Sequence, residues 1–220
     1  MTASSPQKIA LDYIYLPPPV PDRSLSLHDA VTRRRTIREI AVTPVPSELL
    51  SNLLWTAFGV NRTTGPFGAA GRTAASASNS QEIDVYVALK TGIYLYNGPA
   101  HRLDPVVAGD LRSDAMNQRH GVASKAPVQL IYVADLYRLT HTAGFEEPGL
   151  HDPEVQKSYY FVDTGLIAGN VSLFAAAHGL ASWFHNCDKA ALANDLPLRA
   201  EQKILFAHSI GWPAASTIPA

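Results

Sequence analysis

A chain of 220 residues holds one large domain or two small ones with a substantial core. Its 18 basic and 19 acidic residues leave a net charge of -1, so no field draws it to nucleic acid or an anionic membrane surface. Hydrophobic residues at 46% and charged ones at 17% describe a globular protein with a generous interior, and the single cysteine, Cys187, excludes an internal disulfide and fits a reducing compartment. The first residues carry no basic segment followed by an apolar one, so no signal peptide is expected and the expected location is cytoplasmic.

Residues 1–25, with Pro17-Pro18-Pro19 and Pro21, read as an extended arm, and residues 26–220 as a single domain. Ser26-Leu27-His28-Asp29 has the form of a helix N-cap with an acid three residues on, opening a helix that ends near Arg35. There Arg33-Arg34-Arg35-Thr36-Ile37-Arg38 gathers four of the twelve arginines into six positions. The cluster has two readings. Cations complement a helix C-terminus for ~0.3–1 kcal/mol each. Alternatively, β-branched Thr36 and Ile37 are extended, Arg34, Thr36 and Arg38 fall on one side at period two, and forked guanidiniums flank a hydroxyl as a phosphate clamp.

Ser47 to Phe58 has leucines and Trp55 at helical spacing. Gly59 to Gly71 reads as a flexible loop; its Gly65, Gly68 and Gly71 are not a dinucleotide fingerprint, because no strand is expected before them and no helix after. Ala75-Ser76-Ala77-Ser78-Asn79-Ser80-Gln81 is a run of small residues that lets backbone N–H groups approach a ligand, although hydrogen bonding within the loop is the competing explanation for each. Ile83–Leu89 and Ile93–Tyr96 flank Lys90-Thr91-Gly92 as a hairpin, and Val128 to Ala134 reads as a buried strand. Leu139 to Pro153 looks like a mobile loop or lid. Its His141, Glu146, Glu147, His151 and Asp152 match no zinc template, and no metal site is expected.

Tyr159 to Phe184 is apolar enough and long enough to resemble a membrane span. On a helical wheel, however, Asp163 and Asn170 lie about 20° apart with His178 within roughly 80° of them, a narrow polar stripe. No aromatic or basic belt flanks both sides. A helix over Pro153–His178, buried in a core or between subunits, is therefore expected, with no membrane insertion. Asp188–Asn194 reads as a short helix and Ile204–Ile210 as a strand. No Gly-x-Ser-x-Gly, Walker loop or His-Glu-x-x-His occurs.

An arginine cluster with a small polar loop suits a phosphorylated, planar, hydrogen-bonding cofactor. At this point the chain resembles the nitroreductase family of FMN-dependent oxidoreductases. Arg34-Arg35-Thr36-Ile37-Arg38 is similar to the family's Arg-Arg-Ser-x-Arg, and Ala75 to Gln81 to its Pro-Ser-x-x-Asn-x-Gln loop. Asp163-Thr164-Gly165, Asn170 and Gly179-Leu180 resemble its central helix and the Gly-Leu pair that ends it. Ile204 to Pro213, closing Ile210-Gly211-Trp212-Pro213, resembles its last strand. Tyr94-Leu95-Tyr96 and Gly109-Asp110-Leu111-Arg112 most resemble the branch related to peptide azoline dehydrogenases. Ala75 and Glu82 stand where the family usually has proline, and the tail after Trp212-Pro213 lacks the basic residue that in many relatives helps bind the flavin phosphate.

The resemblance implies an α+β fold, a central, mainly antiparallel sheet flanked by helices, with a long buried helix at a homodimer interface and the arm wrapping the partner. It implies two FMN molecules at that interface and hydride transfer from NAD(P)H through flavin N5 to a small acceptor such as a nitroaromatic or quinone. Alternatives are a peptide azoline dehydrogenase of a modification cluster and a non-catalytic flavin-binding protein. Arg34, Arg35, Thr36 and Arg38 are expected at phosphate and ribityl oxygens, Ser76, Ala77, Ser78 and Asn79 along the flavin edge, and Phe184, His185 and Asn186 as a turn facing the isoalloxazine. No side chain is expected to act as catalytic acid or base, since the flavin carries the chemistry.

Overall fold

A computed structural model describes residues 11–20, 22, 24–116, 126–145 and 148–215. Residues 1–10 of the arm, Glu146 and Glu147 of the expected lid, and the last five residues of the tail lie outside that set.

The frame is a sheet of seven strands. They are β1 (Ile14–Tyr15), β4 (Ile83–Leu89), β5 (Gly92–Asn97), β6 (Arg102–Ala108), β7 (Val128–Asp135), β8 (Ala181–His185) and β9 (Gln202–Gly211). Their spatial order is β1-β6-β5-β4-β7-β9-β8, every neighbouring pair antiparallel. The expected α+β architecture with a mainly antiparallel sheet is therefore present. The β4–β5 hairpin closes through Lys90-Thr91, with Leu89 paired to Gly92.

Alternation along β4 divides the interior. Val85 and Val87 face the larger core, built with Leu53 and Leu54 of α2 (Ser47–Phe58) and Ile167 and Val171 of α4 (Pro153–Ala177). Tyr86 and Ala88 face a smaller core on the other side, closed by Leu192 of α5 (Lys189–Asp195). β7 lies centrally between these layers and is buried at all its positions, which is why Leu130 to Ala134 run apolar without alternation, while buried Gln129 and Asp135 take hydrogen-bonding and ionic partners.

α4 is the helix that the site depends on. Asp152 caps its first turn by accepting the Glu154 N–H at 2.9 Å, and Pro153 fits the first position, where no N–H is needed. It ends earlier than the apolar run. Gly179 adopts φ 69°, and the Leu180 N–H reaches back to the Ala175 carbonyl at 2.8 Å, a six-to-one closure that leads directly into β8. The apolar stretch Tyr159–Phe184 is thus a helix and a strand. The polar stripe faces inward, on its own chain. Asp163 Oδ2 accepts the Ala77 N–H at 2.8 Å, and Asn170 Nδ2 donates to the carbonyls of Thr56 (3.1 Å) and Thr73 (3.3 Å). The opposite face presents Phe161, Val162, Gly165, Leu166 and Gly169 to solvent.

Four regions differ from their sequence reading. The Gly59–Gly71 loop contains a small hairpin of β2 (Val60–Arg62) and β3 (Gly71–Arg72), which glycine content conceals. β6 carries Pro105 opposite Tyr94 beside a register shift, the kind of irregularity at which a strand tolerates proline. The expected lid contains the end of α3 (Leu136–Thr140), with Leu139 fully buried, and a 3-10 turn over Pro148–His151. Within the arm, Ile14–Tyr15 adds an edge strand to its own sheet, and the Pro17 carbonyl accepts the Ser51 hydroxyl at 2.6 Å.

The two Asn170 bonds tie α4 to the end of α2 and to the segment entering the 75–81 loop. Replacing Asn170 by Ala strands two carbonyls, and a loss of about 1–3 kcal/mol is expected. Urea denaturation of wild type and Asn170→Ala, compared at constant m-value, measures it.

Candidate functional site

α1 (Leu27–Arg33) begins with Ser26, whose hydroxyl oxygen accepts the Asp29 N–H at 3.0 Å, and has Arg33 in its last turn. Arg34 leaves the helix at ψ 118°, and the chain then runs along the outer edge of β8. The Ile37 N–H donates to the Ser182 carbonyl (3.1 Å), the Ala41 N–H to the Trp212 carbonyl (2.8 Å), and the Ala214 N–H to the Glu39 carbonyl (2.9 Å). This places Arg34 and Arg35 on a cavity of about 770 Å³ walled by Ala176, Gly179, Leu180, Ser182 and Trp212-Pro213. Arg33, Arg34 and Arg35 all line it, and no carboxylate does. Among the described residues none of these three is ion-paired. A concave site with unpaired guanidiniums suits a phosphate dianion.

The period-two arrangement of Arg34, Thr36 and Arg38 is not assembled. Thr36 and Arg38 do not line the cavity, and the Arg38 guanidinium stands 5.6 Å from the Trp183 ring centroid. Ser182 and Trp183 point to opposite faces of β8, and the arginines divide accordingly. Behind the cavity, the Ser182 hydroxyl is 2.7 Å from His208 Nε2, and His208 Nδ1 is 3.2 Å from the Tyr132 hydroxyl. Burial pushes His208 down to about 3, so it stays neutral and fixes Ser182 in place.

The 75–81 loop is rigid by construction. Ser78, Asn79 and Gln81 adopt φ of 48°, 55° and 51°, left-handed values that cost of order 1–3 kcal/mol each in non-glycine residues. Its internal bonds hold that shape. The Asn79 N–H donates to the Ser76 carbonyl (3.0 Å), the Ser80 N–H to the Ala77 carbonyl (2.9 Å), and the Gln81 N–H to the Ser76 hydroxyl (2.9 Å). Gln81 Nε2 donates to the Ala70 carbonyl at 2.6 Å, and Asn79 Nδ2 makes longer contacts to the Pro66 and Ala70 carbonyls. Ser76 and Asn79 therefore spend hydrogen-bonding capacity within the loop and its neighbours. The Ser78 hydroxyl has only a 3.4 Å contact to the Gly144 carbonyl.

Three contributors owe their role to partners that the sequence does not show. Arg72 Nε donates to Gln81 Oε1 at 2.6 Å while its guanidinium covers the Phe58 ring at 5.0 Å, and burial lowers its pKa. Nothing local in the sequence marks it. Asp163 was legible as part of a polar stripe, but its partner, Ala77, was not. Glu82 is fully buried beside Asp163, and burial, with the Asp163 charge, pushes it up to about 7.

Phe184, His185 and Asn186 close β8. Phe184 is partly exposed against Phe206 (4.8 Å between centroids), while His185 is buried with Nε2 2.9 Å from the Ser209 hydroxyl and Nδ1 3.0 Å from the Asn186 carbonyl. The partly exposed Phe184 ring, the exposed Asn186 side chain and the backbone there are what this turn offers a ligand. Cys187 is buried and its thiol is pushed up to about 11, so it is no thiolate at neutral pH. His141 stacks on Tyr137, and Asp152 is the α4 cap.

The structure does not bring the arginine cavity and the loop together within one chain. Asp163, the loop anchor, and Ala176, a cavity wall, are thirteen residues apart on α4, about 20 Å along its axis. β4, which the loop enters, lies three strands from β8, about 14 Å across the sheet.

The model of the nitroreductase family matches residues 31–212. A Methanocaldococcus jannaschii protein described as "Putative nitroreductase" is 28% identical over 174 residues, 74% of this chain and 80% of its own length. A crystal structure of a "putative nitroreductase" from Ralstonia eutropha is 31% identical with a TM-score of 0.78, covering 92% of this chain and 90% of that one. A chain of the Escherichia coli microcin synthetase complex shares the fold at 16% identity and a TM-score of 0.66, covering 81% of this chain and 68% of that one. With a family model spanning both the arginine segment and the closing strand, and a solved relative alike over nearly its full length, the chain belongs to the nitroreductase family of flavin oxidoreductases.

Proposed function

We propose that the protein is an FMN-dependent oxidoreductase that passes reducing equivalents from NAD(P)H to a small organic acceptor such as a nitroaromatic or quinone. The observation that carries this reading is the cavity lined by Arg33, Arg34 and Arg35 without a carboxylate. A cation cluster lacking an internal counter-ion repels itself unless an anion joins it, and the FMN phosphate is such an anion. When bound, FMN supplies the two-electron redox chemistry.

The chain's own residues bind and orient. Arg34 and Arg35 hold phosphate oxygens, while Thr36 and Arg38 lie outside this cavity, Arg38 against Trp183 on the other face of β8, and take no part in the phosphate grip. Ser76, Ala77, Ser78 and Asn79 present a stiff backbone to the flavin edge. Phe184 and the backbone of His185 and Asn186 pack against the ring. Because cavity and loop are distant in one chain, the complete site is assembled by a homodimer, the arginines from one protomer and the loop from its partner. The apolar face of α4 supports this. Phe161, Val162 and Leu166 are 36%, 59% and 44% exposed, and Gly165 and Gly169 leave open space one turn apart. Such a contiguous apolar strip marks an interface.

Dehydrogenation of a peptide azoline is the second reading, drawing on the fold shared with the microcin synthetase chain. The tyrosines that suggested it are occupied internally: the Tyr94 hydroxyl is 2.9 Å from the Thr91 hydroxyl and the Tyr96 hydroxyl 3.0 Å from His101 Nδ1. Turnover of NAD(P)H with nitroaromatics or quinones supports the first reading; its absence, with oxidation of an azoline peptide, supports the second.

Each charge-assisted phosphate contact contributes ~1.5–3 kcal/mol, so Arg34→Ala is expected to weaken FMN binding about ten- to a hundredfold. Riboflavin, lacking phosphate, binds wild type and variant almost equally. Titration of both ligands into apoprotein checks this, and an unmoved FMN dissociation constant favours the helix-end role. For the dimer, Leu166→Glu buries a charge at the centre of the apolar strip and should convert a dimeric mass to a monomeric one by light scattering.

A further inference from the structure

Beneath the strained loop lie two carboxyl groups that the redox chemistry does not use. Glu82 is fully buried and Asp163 is 4% exposed. Asp163 Oδ2 accepts the Ala77 N–H at 2.8 Å, and Glu82 Oε2 accepts the Ser80 hydroxyl at 2.6 Å. Glu82 Oε1 is buried, and no donor among the described residues reaches it. The two carboxyl groups are within hydrogen-bonding reach of each other. Two carboxylates so placed repel, whereas an acid and a carboxylate bond. A proton on Glu82 Oε1, donated to Asp163, satisfies every oxygen that the pair has committed: Glu82 then accepts from Ser80 and donates to Asp163, and Asp163 accepts from Ala77 and Glu82.

The surrounding charges leave this proton in place. Arg138 reaches only the Glu82 carbonyl (3.2 Å) and is engaged by Asp84 at 2.6 Å and Asp135 at 3.3 Å. Arg72 is committed to Gln81 and to the Phe58 carbonyl. From α4, the group that faces Glu82 is Asp163 itself.

We propose that Glu82 is a positioning residue for the cofactor loop: by donating its proton to Asp163 it locks residues 76–81 onto α4 in their left-handed conformation and so sets how firmly that loop holds the flavin. The flavin part rests on the FMN reading above; the lock does not. The direction of its pH dependence follows from linkage. An exposed glutamate releases its proton near 4.5, and burial together with the Asp163 charge pushes Glu82 up to about 7. The folded chain therefore holds an extra proton between those values, and stability falls as pH rises through that window. Above it two charged carboxylates confront each other under Ala77 and the loop loosens.

Glu82→Gln is the decisive variant, because its amide mimics the protonated acid, donating to Asp163 and accepting from Ser80 at every pH. Amide hydrogen exchange of the 75–81 segment, corrected for intrinsic rates, and FMN affinity are measured from about pH 5 to about pH 9 in both proteins. Wild type should lose loop protection and FMN affinity above about pH 7, while Glu82→Gln keeps both, and the wild-type unfolding midpoint should fall relative to the variant between about pH 5 and about pH 7. Equal pH profiles of loop protection in the two proteins would overturn the proposal. If neither protein binds FMN, the cofactor reading fails, and the exchange profiles still decide the lock.

Discussion

The bond on which the site depends is the one from the Ala77 N–H to the Asp163 carboxylate. It joins a loop with three left-handed non-glycine residues to the middle of the longest helix. A carboxylate accepting a backbone N–H makes a charge-assisted bond, and in a buried setting it is stronger than at the surface. The strain of the loop is of order several kcal/mol, so no single bond can offset it. Arg72 through Gln81, Ser76 through the Gln81 N–H, and the turn at Ala77–Ser80 share that load. The loop is thus over-determined, which is what a ligand-facing backbone requires if binding is not to cost ordering entropy.

α4 serves both halves of the site through different faces. Its inward stripe holds Asp163 and Asn170 against the protein's own loops, and its end, turned by Gly179, supplies the wall behind the arginines. Its outward strip is apolar and carries two glycines without neighbours. The arginine segment is the counterpart. It adds to the edge of β8 through the Ile37 N–H and so holds three cations together without a carboxylate in the cavity. Both features are costly to an isolated chain, one as exposed apolar surface and the other as like-charge repulsion. Proteins keep such liabilities where function uses them.

The sequence disclosed most of the frame. The hairpin signal at Ile83–Tyr96, the largely apolar run of β7 and the cap at Ser26 each carry a local signal, and each element appears where that signal places it. What it concealed has identifiable reasons. β6 is masked by Pro105, and β2 and β3 by glycines, since propensity reads both as breakers although an edge or a bulge tolerates them. Hydropathy does not show the boundary between α4 and β8, because helix and strand are equally apolar there, but the Gly179-Leu180 pair does, and the helix expected over Pro153–His178 is found over Pro153–Ala177. Within the site, the arginine and loop motifs were legible as residue types but not as geometry. Which arginines share a cavity is decided by pairing with Ser182, far along the chain, and by the face of β8 that each side chain meets. Arg72 carries no local signal and Glu82 shows only as a departure from the family's proline, since the importance of both lies in partners that the fold brings to them.

The central claim is that an arginine cavity on one protomer and a rigid loop on its partner together grip one FMN. Complementation between two defective chains tests it most directly. One chain carries Arg34→Ala and Arg35→Ala with an intact loop; the other carries Ala77→Pro, which removes the N–H that Asp163 accepts, with intact arginines. Each homodimer should bind FMN poorly. If the site is shared, each mixed dimer regains one intact site, and FMN binding returns on mixing and subunit exchange. If each chain builds its own site, both sites in the mixed dimer stay defective, and the absence of any recovered FMN binding would contradict the account.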